Sequence, residues 1–281
     1  MSGPADLFDL GGKAAIVTGA SSGIGRATAE HFQQQGWNVV ATMRDPKKAG
    51  DLAEHENVLV TRLDVLDRDS IVAARDAALG RFGQVDVLLN NAGYGAYGPL
   101  EAFSMEGVER QFDTNVIGLL AVTKAFLPHM RERASGTIIN VSSIGGQMTF
   151  PLGALYHGSK FAVEGLSEAL HYELGAFGVQ VKIVQPGMIQ TDFGGRSFDF
   201  QNDESLAEYQ GTVKKLFGYW RASPTPPSPP STVAEVVFAA ATDGTPTLRY
   251  RAGADAEALL DARKAQDDAT FLAAMKTQIG V

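Results

Sequence analysis

Short apolar runs recur along the chain, and longer stretches with apolar residues every three or four positions lie between them. The runs are KAAIVTG (13–19), WNVVATM (37–43), NVLVTRLD (57–64), VDVLLNN (85–91), GTIINVSS (136–143) and VQVKIVQPG (179–187), with a shorter one over 247–250. They lack clean polar alternation, which suits strands of a parallel sheet covered on both faces. Helical spacing covers 24–35, 70–81, 107–133, 154–177 and 232–242. This rhythm predicts an α/β fold with a single doubly wound parallel sheet of the Rossmann type.

Two stretches break the rhythm. Residues 188–230 are rich in aromatics (Phe193, Phe198, Phe200, Phe217, Tyr219, Trp220) and end in the proline tract SPTPPSPP. A connection of this length inside a compact domain reads as a lid or binding segment, and the tract as a stiff spacer returning the chain to the sheet. Residues 252–281 are Ala-rich and predict a helical tail.

Composition narrows the function classes. The chain has 281 residues, of which 44% are hydrophobic and 20% charged, enough for a large core in a soluble protein. It contains no cysteine. That removes disulfides, thiolate metal sites and a thiol nucleophile, and fits a reducing compartment. A net charge of -8 argues against general affinity for nucleic acid or anionic membrane. No segment reaches the apolar length of a membrane span, and MSGPADLFDLGGK lacks a secretory pattern. A cytoplasmic location is expected.

The first strand runs into TGASSGIG (18–25), and a helix follows at once. Gly19 permits the tight turn, Gly23 lets backbone approach a pyrophosphate, and Gly25 lets helix and strand pack closely. Phosphates then lie at a helix N-terminus, where free N–H groups favour anions. At the end of the second strand, VVATMRDPKK (39–48) places Met43 where a ribose-binding carboxylate is expected, and Arg44 follows. A guanidinium suits a 2′-phosphate, so NADP(H) is expected over NAD(H). Asp45 remains an alternative acid. Further on, LDV (63–65), NNAG (90–93) and VSS (141–143) fall on strand ends, where open α/β sheets bind ligands. ALYHGSKFAVEGLSEALHYEL (154–174) then stacks Tyr156 and Lys160 one helical turn apart on one face.

Taken together, TGASSGIG, NNAG, the Asn115 of NVIG, Ser143, YHGSK and the PG of QPGMIQT resemble the short-chain dehydrogenase/reductase family in its classical form, over about residues 13–250. The ATMRD stretch is similar to its hydroxysteroid and retinol dehydrogenase branch. The resemblance implies a hydride transfer between nicotinamide and a carbonyl or secondary alcohol. It makes Tyr156 the general acid/base, Lys160 the group that, together with the positive charge of the oxidised nicotinamide, lowers its pKa and that holds the ribose, and Ser143 the donor to the substrate oxygen. Asn115 would hold a water in a proton relay reaching Lys160.

The same resemblance assigns Gly19, Ser21, Ser22, Gly23, Ile24, Gly25, Arg44, Asp64, Val65, Asn91, Ala92, Gly93, Pro186, Gly187, Ile189 and Thr191 to the cofactor, beside Tyr156 and Lys160. No metal is expected. Tyr94, Tyr97, Gln147, Phe150 and Phe193 are candidates for the substrate wall, so apolar a lining that a hydrophobic ketone or aldehyde is favoured. The five histidines, His157 among them, read as structural or surface residues. The expected organisation is one domain, with 13–187 as cofactor-binding and catalytic core, 188–230 as substrate loop and 252–281 as tail. Family likeness also implies a homodimer or homotetramer through helices 107–133 and 154–177. An acyl-thioester ketoreductase and a non-catalytic NADP(H) sensor are the alternatives.

Overall fold

A computed structural model of the chain describes residues 12–191, 195, 197–222 and 224–281. In chain order the elements are β1 (Ala14–Val17), α1 (Gly23–Gln34), β2 (Asn38–Met43), β3 (Val58–Arg62), α2 (Arg68–Phe82) and β4 (Val87–Asn90). There follow β5 (Gly95–Tyr97), α3 (Met105–Phe112), α4 (Leu119–Arg133), β6 (Gly136–Val141), α5 (Ala154–Gly175) and β7 (Val179–Pro186). The rest is β8 (Phe198–Phe200), α6 (Ala207–Arg221), α7 (Pro230–Thr242), β9 (Arg249–Ala252), α8 (Ala254–Ala265) and α9 (Asp268–Ile279).

Seven strands form one parallel sheet in the order β3-β2-β1-β4-β6-β7-β9. The order reverses direction between β1 and β4, which opens the crevice where such sheets bind ligands. Alternate residues face opposite cores. Ala15 and Val17 join Val39, Ala41, Leu89 and Ile139 on the side closed by Phe32 of α1 and Val237 of α7. Ile16 joins Val40, Leu88 and Ile138 on the side closed by Ile71, Phe126 and Leu174. This two-sided burial is why the strands read as unbroken apolar runs. Each such fully buried large side chain contributes about 1.5–3 kcal/mol relative to exposure.

The tail is helical as expected, and it has a target. Leu260, Phe271 and Met275 pack with Ile144 and Met148 in a third core, which backs the segment just after Ser143.

Two expectations needed correction in detail. The helix read over 107–133 is broken, with Asp113–Gly118 forming a π-helical segment between α3 and α4. The interruption over 188–230 also has structure of its own. It carries β8, which pairs in parallel with β5 as a separate small sheet, and the four-turn helix α6. The proline tract is more than a spacer, since Ser228 bridges to Ile189 and exchanges backbone hydrogen bonds with Met188 and Gln190. Pro230 then opens α7 at a position where a missing N–H costs nothing.

Candidate active site

The glycine turn has the conformation its sequence demands. Gly19 and Gly23 have φ of +71° and +56°, a region that disfavours any residue with a Cβ. A Cβ on Gly25 would overlap the Gly19 carbonyl and lie 2.5 Å from Asn91 Nδ2, so α1 can cross β1 closely only with glycine there. Ser22 is the N-cap of α1, yet its side chain makes no capping bond, and the first turn carries no acidic residue. Those N–H groups and the Ser22 hydroxyl therefore fit a pyrophosphate. Ser21 is half-buried in the same turn, and Ile24 packs on the core beneath it. Thr191 closes the turn from above, its Cγ2 3.3 Å from where a Gly23 Cβ would stand.

Buried Met43 ends β2, and exposed Arg44 follows with no ion pair among the described residues. Asp45 is occupied elsewhere, accepting a bond from the Lys47 N–H as cap of a short turn. It forms no ion pair with Arg44 among the described residues. The loop beyond is pinned to α1, because Arg26 bonds the Ala49 carbonyl and the Asp51 carboxylate.

Strand ends bring the next group together. The Thr18 hydroxyl donates to the Leu89 carbonyl and accepts from the N–H groups of Asn91 and Ala92. Asn91 Nδ2 returns a bond of 2.8 Å to the Thr18 carbonyl. Asp64 uses one carboxylate oxygen on the Leu66 N–H, and Val65 packs against Gly118, where a Cβ would come within 2.8 Å of its side chain. Asn115, in the π segment, accepts from the Tyr94 N–H at 3.1 Å and donates to the Tyr94 carbonyl at 2.9 Å and to Ser159 Oγ at 3.0 Å. Its amide also lies against Gly93, with Oδ1 2.9 Å from a Cβ placed there. The π segment thus holds NNAG to α5, a use that single π turns often serve at functional sites.

Ser143, Tyr156 and Lys160 converge beyond β6. The Ser143 hydroxyl accepts from the Gly145 N–H at 3.0 Å and is hydrogen-bonded to the Tyr156 phenol. Lys160 Nζ donates to the Val141 carbonyl at 2.8 Å and lies 5.9 Å from the centre of the Tyr156 ring. Burial dominates both titrations here. It pushes Tyr156 up to about 12, opposed by the Ser143 bond, and Lys160 down to about 8, opposed by Glu164 one turn further along α5. In the free protein desolvation of the phenolate is the larger influence on Tyr156, and the lowering ascribed to Lys160 is expected together with the positive charge of an oxidised nicotinamide.

An aromatic wall stands over Tyr156. The Tyr97 ring centre lies 5.5 Å from that of Tyr156, 5.3 Å from Phe198 and 5.4 Å from Trp220. Phe150 adds contacts to Tyr219 and Trp220. Tyr94 sits at the rim, where Arg110 bonds its hydroxyl and Asp199 of β8. Gln147 is half-buried at the end of the turn that Ser143 caps, and the candidate Phe193 lies outside the described residues.

Three participants were not legible as such. His157 is buried and bonded to both sides of the wall. Glu164 is held by Gln185 and Arg249, both at 2.9 Å. Asp255 accepts the Met188 N–H at 2.6 Å and sits so close to Gly187 that no Cβ fits there, which fixes the Pro186-Gly187 turn and the path to Ile189. The contacts of Glu164 and Asp255 join residues distant in sequence, and those of His157 reach residues outside its own helix, so no helical spacing announces them. Among the described residues no cluster of His, Asp or Glu could hold a metal, and no helix is long and apolar enough to cross a membrane.

The chain is similar to known proteins over most of its length. Residues 13–202 match the short chain dehydrogenase family. An uncharacterized oxidoreductase of Schizosaccharomyces pombe is 46% identical over 85% of this chain and its own full length. Retinol dehydrogenase 8 of Bos taurus is 36% identical over 84% of this chain and 80% of its own. Estradiol 17-beta-dehydrogenase 1 of Rattus norvegicus is 37% identical over 84% of this chain and 72% of its own. Among solved structures, a short-chain dehydrogenase from Streptomyces avermitilis superposes with a TM-score of 0.78 at 35% identity, covering 90% of this chain and 94% of its own. One from Burkholderia cenocepacia in complex with NADP gives 0.75 at 26% identity, covering 94% and 96%. One from Burkholderia phymatum in complex with NAD gives 0.76 at 28% identity, covering 92% and 94%. The chain belongs to the short-chain dehydrogenase/reductase family of nicotinamide-dependent oxidoreductases.

Proposed function

We propose that this protein is an NADP(H)-dependent reductase of apolar ketones or aldehydes. The observation that carries the reading is the convergence of Ser143, Tyr156 and Lys160 beside a glycine turn with free N–H groups, under an aromatic wall. When bound, NADP(H) supplies or accepts the hydride. Gly19 to Gly25 would hold its pyrophosphate, and Asn91 to Gly93 would hold the adenosine half. Arg44 pairs with the 2′-phosphate; its guanidinium has no other ion pair among the described residues. Pro186, Gly187, Ile189 and Thr191 line the nicotinamide end.

In reduction, Ser143 donates a hydrogen bond to the carbonyl oxygen and steadies the charge growing there. Tyr156 gives that oxygen its proton as hydride reaches the carbon. Its raised pKa keeps it protonated at neutral pH, the form an acid needs. Lys160, held by Val141, places positive charge beside the phenolate that results. Asn115 holds a water in the relay that restores the proton.

The wall of Tyr97, Phe150, Phe198 and Trp220 supports an apolar substrate. So do relatives whose names are those of a retinol and an estradiol dehydrogenase. A homodimer or homotetramer fits the exposed Ile117 and Phe161 beside and on the helices expected to pair. The cysteine-free composition fits the cytoplasm.

NADPH oxidation against a panel of apolar ketones, aldehydes, steroids and acyl thioesters tests the reading. Turnover of apolar ketones or aldehydes is expected. Turnover of acyl thioesters alone would replace the substrate class, and NADPH binding without any turnover would favour the sensor.

A further inference from the structure

His157 follows Tyr156 on α5 and is buried, yet the reaction does not use it. Its ring makes three hydrogen bonds. Nδ1 lies 2.9 Å from the Gly145 carbonyl, which can only accept, so Nδ1 carries the proton. Nε2 then accepts with its single lone pair, which the Phe150 N–H takes at 2.9 Å and the Tyr97 hydroxyl shares at 3.2 Å. The pocket for the ring is cut to size, because a Cβ on Gly145 or Gly153 would lie 2.8 Å or 2.6 Å from it.

These bonds join the two segments that flank Tyr156. One is Gly145 to Phe150, which follows Ser143. The other is β5, which carries Tyr97. Both polar groups taken by Nε2 belong to residues whose rings form the wall. We propose that His157 is a positioning residue for substrate specificity: it withdraws the Tyr97 hydroxyl and the Phe150 N–H from the cleft, so that the wall beside Tyr156 rejects substrates carrying a hydroxyl there.

Burial holds the imidazole down at about 4, so it stays a neutral acceptor throughout the working range. Titratable neighbours are few. Tyr97 and Tyr156 face the ring from β5 and α5, both with raised pKa, and Tyr219 of α6 lies beyond Phe150. An apolar pocket discriminates against an added hydroxyl by about a hundredfold at most. Unpaired wall groups would offer that hydroxyl a partner and reduce the ratio.

The inference rests on the oxidoreductase reading for its meaning, so the test separates the two. Binding of acetophenone and 4-hydroxyacetophenone to the NADP-loaded protein is read from Trp220 fluorescence in a Trp37→Phe background. KM and kcat are measured alongside. Wild type is expected to prefer acetophenone by at least about tenfold. His157→Phe should lose most of that preference, mainly through KM, with NADPH affinity unchanged. Tyr97→Phe, which removes only one of the polar groups, should retain it.

Nitrogen NMR gives a readout free of activity and of the variants' folding. His157 should show the Nδ1–H tautomer and no protonation above about pH 5. A ring that protonates above pH 6, a wild type that binds neither ketone or both alike, or a His157→Phe protein that keeps the preference would each overturn the proposal. Preferential binding without turnover would leave it standing and sink the oxidoreductase reading instead.

Discussion

The proposed chemistry turns on the Tyr156 phenol, and its titration can be worked from the structure. Burial raises it to about 12, and the ordinary value is 10.0. That shift sets about 3 kcal/mol against the phenolate. The Lys160 nitrogen is 5.9 Å from the ring centre. At an effective dielectric constant of about 20, a full charge at that distance is worth about 3 kcal/mol, or about two pKa units. A charged Lys160 would therefore only offset the burial.

In the free protein it is not charged where it matters. Lys160 sits at about 8, so the ammonium is lost well before Tyr156 ionises. Tyrosinate difference absorbance, wild type minus Tyr156→Phe, should show no ionisation of Tyr156 below about pH 10 without cofactor. Lys160→Met should leave that midpoint within about half a unit. Loading with NADP should lower it, since a positive nicotinamide favours the phenolate and has no counterpart in the free protein. A Tyr156 midpoint below about pH 9 in the free protein would refute the reasoning, because burial could not then outweigh the ammonium.

Three further outcomes follow from the geometry. Gly25→Ala should destabilise the fold by about 1–3 kcal/mol in urea unfolding and weaken NADPH binding, because the new methyl displaces α1 from the Gly19 carbonyl. Arg44→Ala should weaken NADPH about tenfold in a direct titration and leave NADH unchanged; equal losses for both would remove the 2′-phosphate role. His157 is depressed from 6.5 to about 4 in the folded state, so the unfolded chain takes up its proton first as the pH falls. Its contribution is complete above about pH 6.5, is reduced by about 2 kcal/mol at pH 5, and is lost through pH 4. That increment should be missing from the pH dependence of urea unfolding in His157→Gln.

The parts legible in the sequence are those that local backbone chemistry dictates. The turn through Gly19, Gly23 and Gly25 needs residues without a Cβ within one strand–turn–helix unit, and the chain supplies them in order. The Tyr156–Lys160 pair needs only one helical turn. The two-sided sheet shows itself in strands with consecutive apolar residues, such as Ala14 to Val17 and Val87 to Leu89, in place of strict polar alternation. What could not be read depends on partners far along the chain. The π segment is held by Asn115 reaching Tyr94, 21 residues back, and Ser159, 44 residues on. The β5–β8 sheet pairs Gly95 with Phe198 across the whole of α5. His157 looks idle on a helical wheel, because its partners Gly145, Phe150 and Tyr97 enter from the segment after Ser143 and from β5, whose paths the wheel does not contain. The desolvation of Tyr156 is hidden from the sequence for a related reason, since it comes from the fold that encloses the ring.

The most direct test of the central claim is the turnover of Tyr156→Phe on the carbonyl substrate identified by the panel, with NADPH binding measured on the same preparation. The phenylalanine keeps the ring and its packing against Tyr97 and removes only the proton donor. A fall in kcat of about a hundredfold to ten-thousandfold with unchanged NADPH affinity is the outcome the account requires. A variant that turns over like the wild type would contradict it, and the proton would have to come from another group.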